Sequence, residues 1–137
     1  MKTSLKKKSD NEVIPFKKLP NTLAWKLTSL FVRLLSKGIC YTCEKHYEIN
    51  KLNCGHFREK IGGSATYFNL KNLKAQCFYC NRKLHGAKDI YSRKLVKEYG
   101  VNILDNLFKE GQKSKQWTRG ELNKIAEQRQ KDIDKGI

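Results

Sequence analysis

The strongest constraint on this chain is a repeated cysteine spacing. Cys40-Tyr41-Thr42-Cys43 and Cys77-Phe78-Tyr79-Cys80 are two C-x-x-C pairs with 33 residues between them. Each pair brings two thiolates close together, and two pairs complete the tetrahedral all-sulfur shell that Zn²⁺ takes in structural sites. Such a shell has no open position, so the zinc would hold the fold and not activate water. A redox function is the competing reading of a C-x-x-C pair. The gap is longer than an ordinary zinc-ribbon loop, so something is inserted between the pairs.

Charge narrows the partners. With 29 Lys and Arg against 13 Asp and Glu, the 137 residues carry a formal charge of +16, a field that captures polyanions and makes nucleic acid the default partner. Residues 40–100 hold twelve basic and five acidic groups, so +7 lies around the cysteines. Residues 1–20 contribute only +4. The stretch from Leu23 to Leu35 is interrupted by Lys26, Thr28, Ser29 and Arg33 and is too short to cross a bilayer. The lysine-rich start lacks the apolar run of a secretory signal, which favours metal ligation over disulfides for the five cysteines.

The chain reads as α+β in three parts: a flexible basic arm over 1–20, a main domain over 21–111 and a terminal helix over 112–137. Leu23, Leu27, Leu30, Phe31, Leu34 and Leu35 recur at three- and four-residue steps, with Asn21 or Thr22 as cap and Gly38 at the end. Residues 40–80 alternate weakly and predict short strands and a hairpin, with Gly62-Gly63 in a loop. A helix is expected from Phe78, interrupted at Gly86 and resuming to Gly100. A short amphipathic piece follows to Gly111. Thr118 and Glu121 form a T-x-x-E capping box that starts the last helix.

The insert contains Asn53-Cys54-Gly55-His56-Phe57-Arg58, then Asn69-Leu70-Lys71-Asn72-Leu73-Lys74-Ala75-Gln76 running into Cys77; Asn81, Arg82, Lys83, Leu84 and His85 follow Cys80. This order resembles the ββα-metal (HNH) nuclease motif, with His56, Asn72 and Asn81 at its three positions. Over residues 22–110 the chain more closely resembles the lambda NinG (Rap) recombination proteins. The resemblance rests on "CYTC", "CGHFR", "GGSATYFNLKNLKAQCFYCN" and "LHG", with Tyr91 and Tyr99-Gly100. It implies a zinc-braced ββα-metal core with flanking helices, and a phage-encoded endonuclease acting on Holliday junctions and D-loops in the bacterial cytoplasm.

The resemblance assigns His56 as general base, since an imidazole accepts a proton from water near neutral pH. Asn72 would fix the hairpin loop and the His56 ring. Asn81 and His85, four residues apart, would share a helical face and hold one Mg²⁺ or Mn²⁺ if the helix runs that far. Many HNH enzymes carry a metal-binding Asp or His just before the base, where this chain has Gly55. Either Cys54, Glu48 or His46 supplies the ligand, or water and phosphate fill the shell. Cys54 also reads as a buried apolar spacer. Arg58, Lys60, Lys71, Lys74, Arg82 and Lys83 are candidate phosphate contacts. Symmetric junction cleavage needs two active sites, hence a homodimer. The competing class is a non-catalytic zinc-ribbon DNA-binding accessory; a sequence-tolerant HNH nickase or homing-type nuclease is the enzymatic rival.

Overall fold

The weak alternation between residues 40 and 80 resolves into one antiparallel hairpin. The computed structural model describes residues 10–59 and 64–136. Its elements in chain order are α1 (Leu23–Leu35), β1 (Leu52–His56), β2 (Leu73–Cys77), α2 (Lys88–Tyr99), α3 (Ile103–Gly111) and α4 (Arg119–Asp134). Leu52 faces Cys77 and His56 faces Leu73, so the pairing starts beside a zinc-type cysteine and ends at the histidine. The fold is thus mixed α and β, with a small two-stranded sheet and a cysteine cluster. The contacts divide the chain into two units, Val32–Ser114, and Met1–Phe31 with Lys115–Ile137.

In the Val32–Ser114 unit, two apolar groups flank the hairpin. Cys40, Leu52, Ala75, Cys77 and Cys80 form one, with Tyr47 and Ala87 against it. Tyr91, Leu95, Ile103 and Leu107 form the other, joining α2 to α3 and taking Tyr41 and Phe57 at its edge. Cores this small bury little apolar area, which is where a metal clip adds most.

The helix expected from Phe78 is much shorter. Tyr79–Lys83 makes a single π turn, and then His85, Gly86 and Ala87 all take left-handed backbone, at φ +52, +92 and +48. Glycine takes that conformation freely, but two side-chain-bearing residues do so only where surrounding contacts hold them. Here the Gly86 amide donates to Cys80 O at 2.8 Å, and the Gly86 carbonyl accepts from Gln76 Nε2 at 2.8 Å. Asn81 and His85 therefore do not share a helical face: His85 lies beyond the turn and is exposed.

In the other unit, residues 10–20 are not the expected loose arm. Val13 bridges Thr118, Ile14 N donates to Trp117 O at 2.9 Å, and Leu19 is buried in a 3-10 turn at Phe16–Asn21. The partners are some hundred residues away in the chain, which no local pattern shows. Residues 1–9 of that expected arm lie outside the described residues. The Thr118–Glu121 capping box forms as expected. Side-chain bonds between Gln128 and Asp132 and between Gln130 and Asp134, both 2.9 Å, carry the polar end of α4 to Asp134.

In α1, Thr22 Oγ1 accepts from Trp25 N at 3.2 Å and caps the helix, and Gly38 follows at φ +88. The line of deepest burial is Ala24, Thr28 and Val32, while Leu23 and Leu35 are exposed. Among the described residues no helix is long and apolar enough to cross a membrane.

Candidate functional site

Two centres lie at the two ends of the hairpin. At the first, the sulfur atoms of Cys40, Cys43, Cys77 and Cys80 all lie within 4.8 Å of one another, with Cys43 and Cys77 at 3.9 Å. Four sulfurs at about 2.3 Å from one tetrahedral Zn²⁺ stand roughly 3.8 Å apart, so the cluster has the size of that ion's shell and could hold structural zinc. Backbone amides already point at the sulfurs: Cys77 N donates to Cys40 Sγ at 3.3 Å and Cys80 N to Cys77 Sγ at 3.4 Å. Burial alone would raise the Cys40 thiol, but hydrogen bonds from Cys43, Cys77 and Thr42 outweigh it and bring the group down to about 6. Burial pushes Cys80 up to about 12. A bound dication would turn every thiol of the cluster into thiolate.

Cys54 stands apart. Burial pushes its thiol up to about 12 and it does not belong to the cluster, which fits a packed spacer and not a ligand. His46 is exposed and sits in a bridge opposite Ile39, and Glu48 is exposed. Among the described residues, the four cysteines are the only His, Cys, Asp or Glu group of three or more that could hold a metal. None of the three substitutes considered for Gly55 converges on a site.

The second centre is the end of β1. His56 Nε2 lies 3.1 Å from the Tyr67 carbonyl, and the imidazole packs against the Tyr67 ring with centroids 4.7 Å apart. A carbonyl can only accept, so Nε2 donates here, and in the neutral imidazole the other nitrogen, Nδ1, is the basic one. Asn72, fully buried, fixes the loop between the strands. Its Oδ1 accepts from Arg58 N at 2.7 Å, and its Nδ2 donates to Arg58 O at 3.1 Å and Thr66 O at 3.3 Å. Asn72 thus ties down the loop backbone, while the His56 ring meets Tyr67.

Two residues at this end were not anticipated from sequence, and a third lies toward the cysteine end of β2. The Tyr91 hydroxyl donates to Gly55 O at 2.8 Å, and the Lys88 ammonium donates to His56 O at 2.7 Å and also to Phe57 O. Three successive carbonyls at the strand end are thus tied to α2. Burial draws the Lys88 ammonium below its ordinary value. The third is Gln76, fully buried on β2, whose Nε2 donates to Thr42 Oγ1 at 3.1 Å and to Gly86 O. Its only sequence signal is a polar residue between Ala75 and Cys77, ambiguous without the neighbouring chain.

The expected phosphate contacts separate. Arg82 and Lys83 are exposed on the π turn, and Lys71 is exposed near the Tyr99 ring. Lys74 is committed internally: its ammonium lies 3.1 Å from Glu98 and 2.6 Å from the Tyr99 hydroxyl, with its side chain only 16% exposed. The Arg58 guanidinium lies over the Phe108 ring at 4.8 Å. Lys60 lies outside the described residues, as do Gly62 and Gly63.

A two-stranded hairpin closed by four cysteines at one end and a hydrogen-bonded histidine at the other defines a small zinc-type module of basic character. The family model described as "Bacteriophage Lambda NinG protein" matches residues 2–135, and the chain belongs to that family. Membership suggests a role related to phage recombination. Comparison with curated proteins and with solved structures finds no match.

Proposed function

We propose that this protein is a structure-selective DNA endonuclease of phage recombination, acting on branched DNA such as Holliday junctions and D-loops. The observation that carries the reading is the His56–Tyr67 hydrogen bond. With Nε2 directed at that carbonyl, Nδ1 is the basic nitrogen of the neutral imidazole, the one a general base would use. His56 Nδ1 takes a proton from water, and the resulting hydroxide attacks the phosphate in line with the leaving 3′ oxygen. Lys88 and Tyr91 hold the backbone on either side of that imidazole. Asn81 Oδ1 lies 3.0 Å from where a Cβ on Gly55 would stand, which sets the third motif position beside the residue that precedes the proposed base. A bound Mg²⁺ or Mn²⁺ would stabilise charge on the phosphorane and the departing oxygen.

The four cysteines would hold zinc as a brace for the hairpin and take no part in cleavage. Arg82, Lys83 and Lys71 are exposed cations able to neutralise phosphates without reading bases, which suits recognition by DNA shape. Two symmetric cuts in a junction call for a homodimer.

The test is zinc-loaded protein incubated with a labelled four-way junction, a linear duplex and single strands. Mg²⁺- or Mn²⁺-dependent cutting of the junction, lost in His56→Ala with binding retained, supports the enzyme. Binding with no cutting under any divalent ion would make the protein a zinc-ribbon accessory. Equal cutting of linear duplex would favour a sequence-tolerant nickase. Chelation alone is a poor control because it also strips zinc.

A further inference from the structure

Gly55 leaves a space on β1 that two amide oxygens fill. A Cβ at position 55 would stand 2.3 Å from Gln76 Oε1 and 3.0 Å from Asn81 Oδ1. The first contact is closer than a Cβ comes to any atom, so a side chain at position 55 would have to displace the glutamine amide from its bonds to Thr42 and Gly86.

The orientation of that glutamine is set chemically. Its Nε2 faces the Gly86 carbonyl at 2.8 Å, and two oxygens could not share that distance. Oε1 must therefore point toward Gly55, where it is buried and makes no hydrogen bond. A buried acceptor without a donor costs about 1–3 kcal/mol, and such orphans call for an explanation. The Asn81 side chain likewise makes no hydrogen bond among the described residues. Two neutral oxygens within 3.0 Å of one position beside Gly55, neither with a donor among the described residues, form an arrangement that a hard cation satisfies.

We propose that Gln76 supplies the ligand that position 55 lacks, so that Gln76 Oε1 and Asn81 Oδ1 make the protein half of a divalent-cation site, with water and phosphate completing it. The proposal deepens the nuclease reading and rests on it for the phosphate. It also joins the two centres: Thr42 Oγ1 lies 3.6 Å from Cys40 Sγ and accepts from Gln76 Nε2. Cysteine, threonine and glutamine thus form one chain of contacts from the sulfur cluster to the cation oxygens. The simpler alternative is a rotated Asn81 amide whose Nδ2 donates to Gln76 Oε1.

Mn²⁺ added to the zinc-loaded full chain decides between them. If the site exists, paramagnetic broadening centres on the side-chain amides of Gln76 and Asn81, and Asn81→Asp tightens Mn²⁺ binding at least tenfold by adding a carboxylate. Asn81→Leu abolishes the broadening at Gln76 while the zinc content stays at one per chain. If Asn81 instead donates to Gln76, Asn81→Asp lowers the melting temperature, leaves Mn²⁺ binding unchanged and overturns the proposal. Absence of broadening at both amides also overturns it. Cutting without Mn²⁺ at these amides would leave the nuclease reading standing and remove this site. Mn²⁺ at the amides with no cutting of any DNA would do the reverse.

Discussion

Asn72 and Arg58 exchange two hydrogen bonds across the hairpin loop: the Arg58 amide donates to Asn72 Oδ1 at 2.7 Å, and Asn72 Nδ2 returns one to the Arg58 carbonyl at 3.1 Å. With the further bond to Thr66 O, one side chain satisfies three backbone groups. Asn72→Ala should therefore destabilise the protein by about 3 kcal/mol, at roughly 1 kcal/mol per bond. Asn72→Asp should cost at least as much, because both donations vanish and a carboxylate is buried against two carbonyls. Urea denaturation with zinc in excess measures both. A loss below 1 kcal/mol in either variant would mean the loop is held by other contacts.

That loop also marks how far the sequence could be read. The hairpin was legible because the cysteine pairs bracket it and weak alternation runs between them. The capping box was legible because its four residues are local and reciprocal. Gln76 and Lys88 were not. What they do depends on facing Gly86, or the carbonyls of His56 and Phe57, across gaps that periodicity does not encode. The sharing of a helical face by Asn81 and His85 failed for a related reason. It assumed a continuing helix, whereas the chain turns left-handed at residues 85–87. Lys74 shows the same limit for charge. A lysine in a basic segment reads as a phosphate contact until Glu98 is found beside it.

The distinction among the basic residues can be measured by salt dependence. Each phosphate contact contributes about 0.9 to the slope of log K against log salt on duplex DNA. Arg82→Ala and Lys83→Ala should each lower the slope by close to that amount. Lys74→Ala should leave it almost unchanged, because its charge is already met by Glu98 and the Tyr99 hydroxyl. Fluorescence anisotropy of a labelled junction across a salt series gives the three slopes. A full unit lost in Lys74→Ala would show that the ion pair opens on DNA.

Zinc should be inseparable from folding in the Val32–Ser114 unit. Three of the four cluster cysteines are buried, in the same apolar group as Leu52 and Ala75. Cys80→Ser should lose the metal and the cooperative transition together, while Cys54→Ser should retain one zinc per chain. Because burial raises both the Cys43 and the Cys80 thiol and zinc binds thiolates, zinc uptake should release protons. Calorimetry in buffers of different ionisation enthalpy counts them. Zinc affinity that does not change between pH 6 and 8 would contradict this protonation.

The capping box makes an acid-sensitive contribution in the other unit. Glu121 lies 2.5 Å from the Lys115 ammonium and accepts from Thr118 N at 3.0 Å, which together hold its carboxyl below the ordinary carboxylate value. A group with a lowered folded pKa stabilises the fold fully above its unfolded pKa, and the contribution is lost as pH falls through the folded value. The box should thus weaken below about pH 4, where unperturbed glutamates protonate. Thr118→Ala should cost about 1 kcal/mol at pH 7, the usual worth of an N-cap. Glu121→Gln should flatten the acid limb of the stability profile, because no proton is then taken up at that position. Thermal melts followed by circular dichroism between pH 3 and 7 compare the profiles. If Glu121→Gln and the unsubstituted protein lose stability in parallel as pH falls, the acid sensitivity arises from other carboxylates.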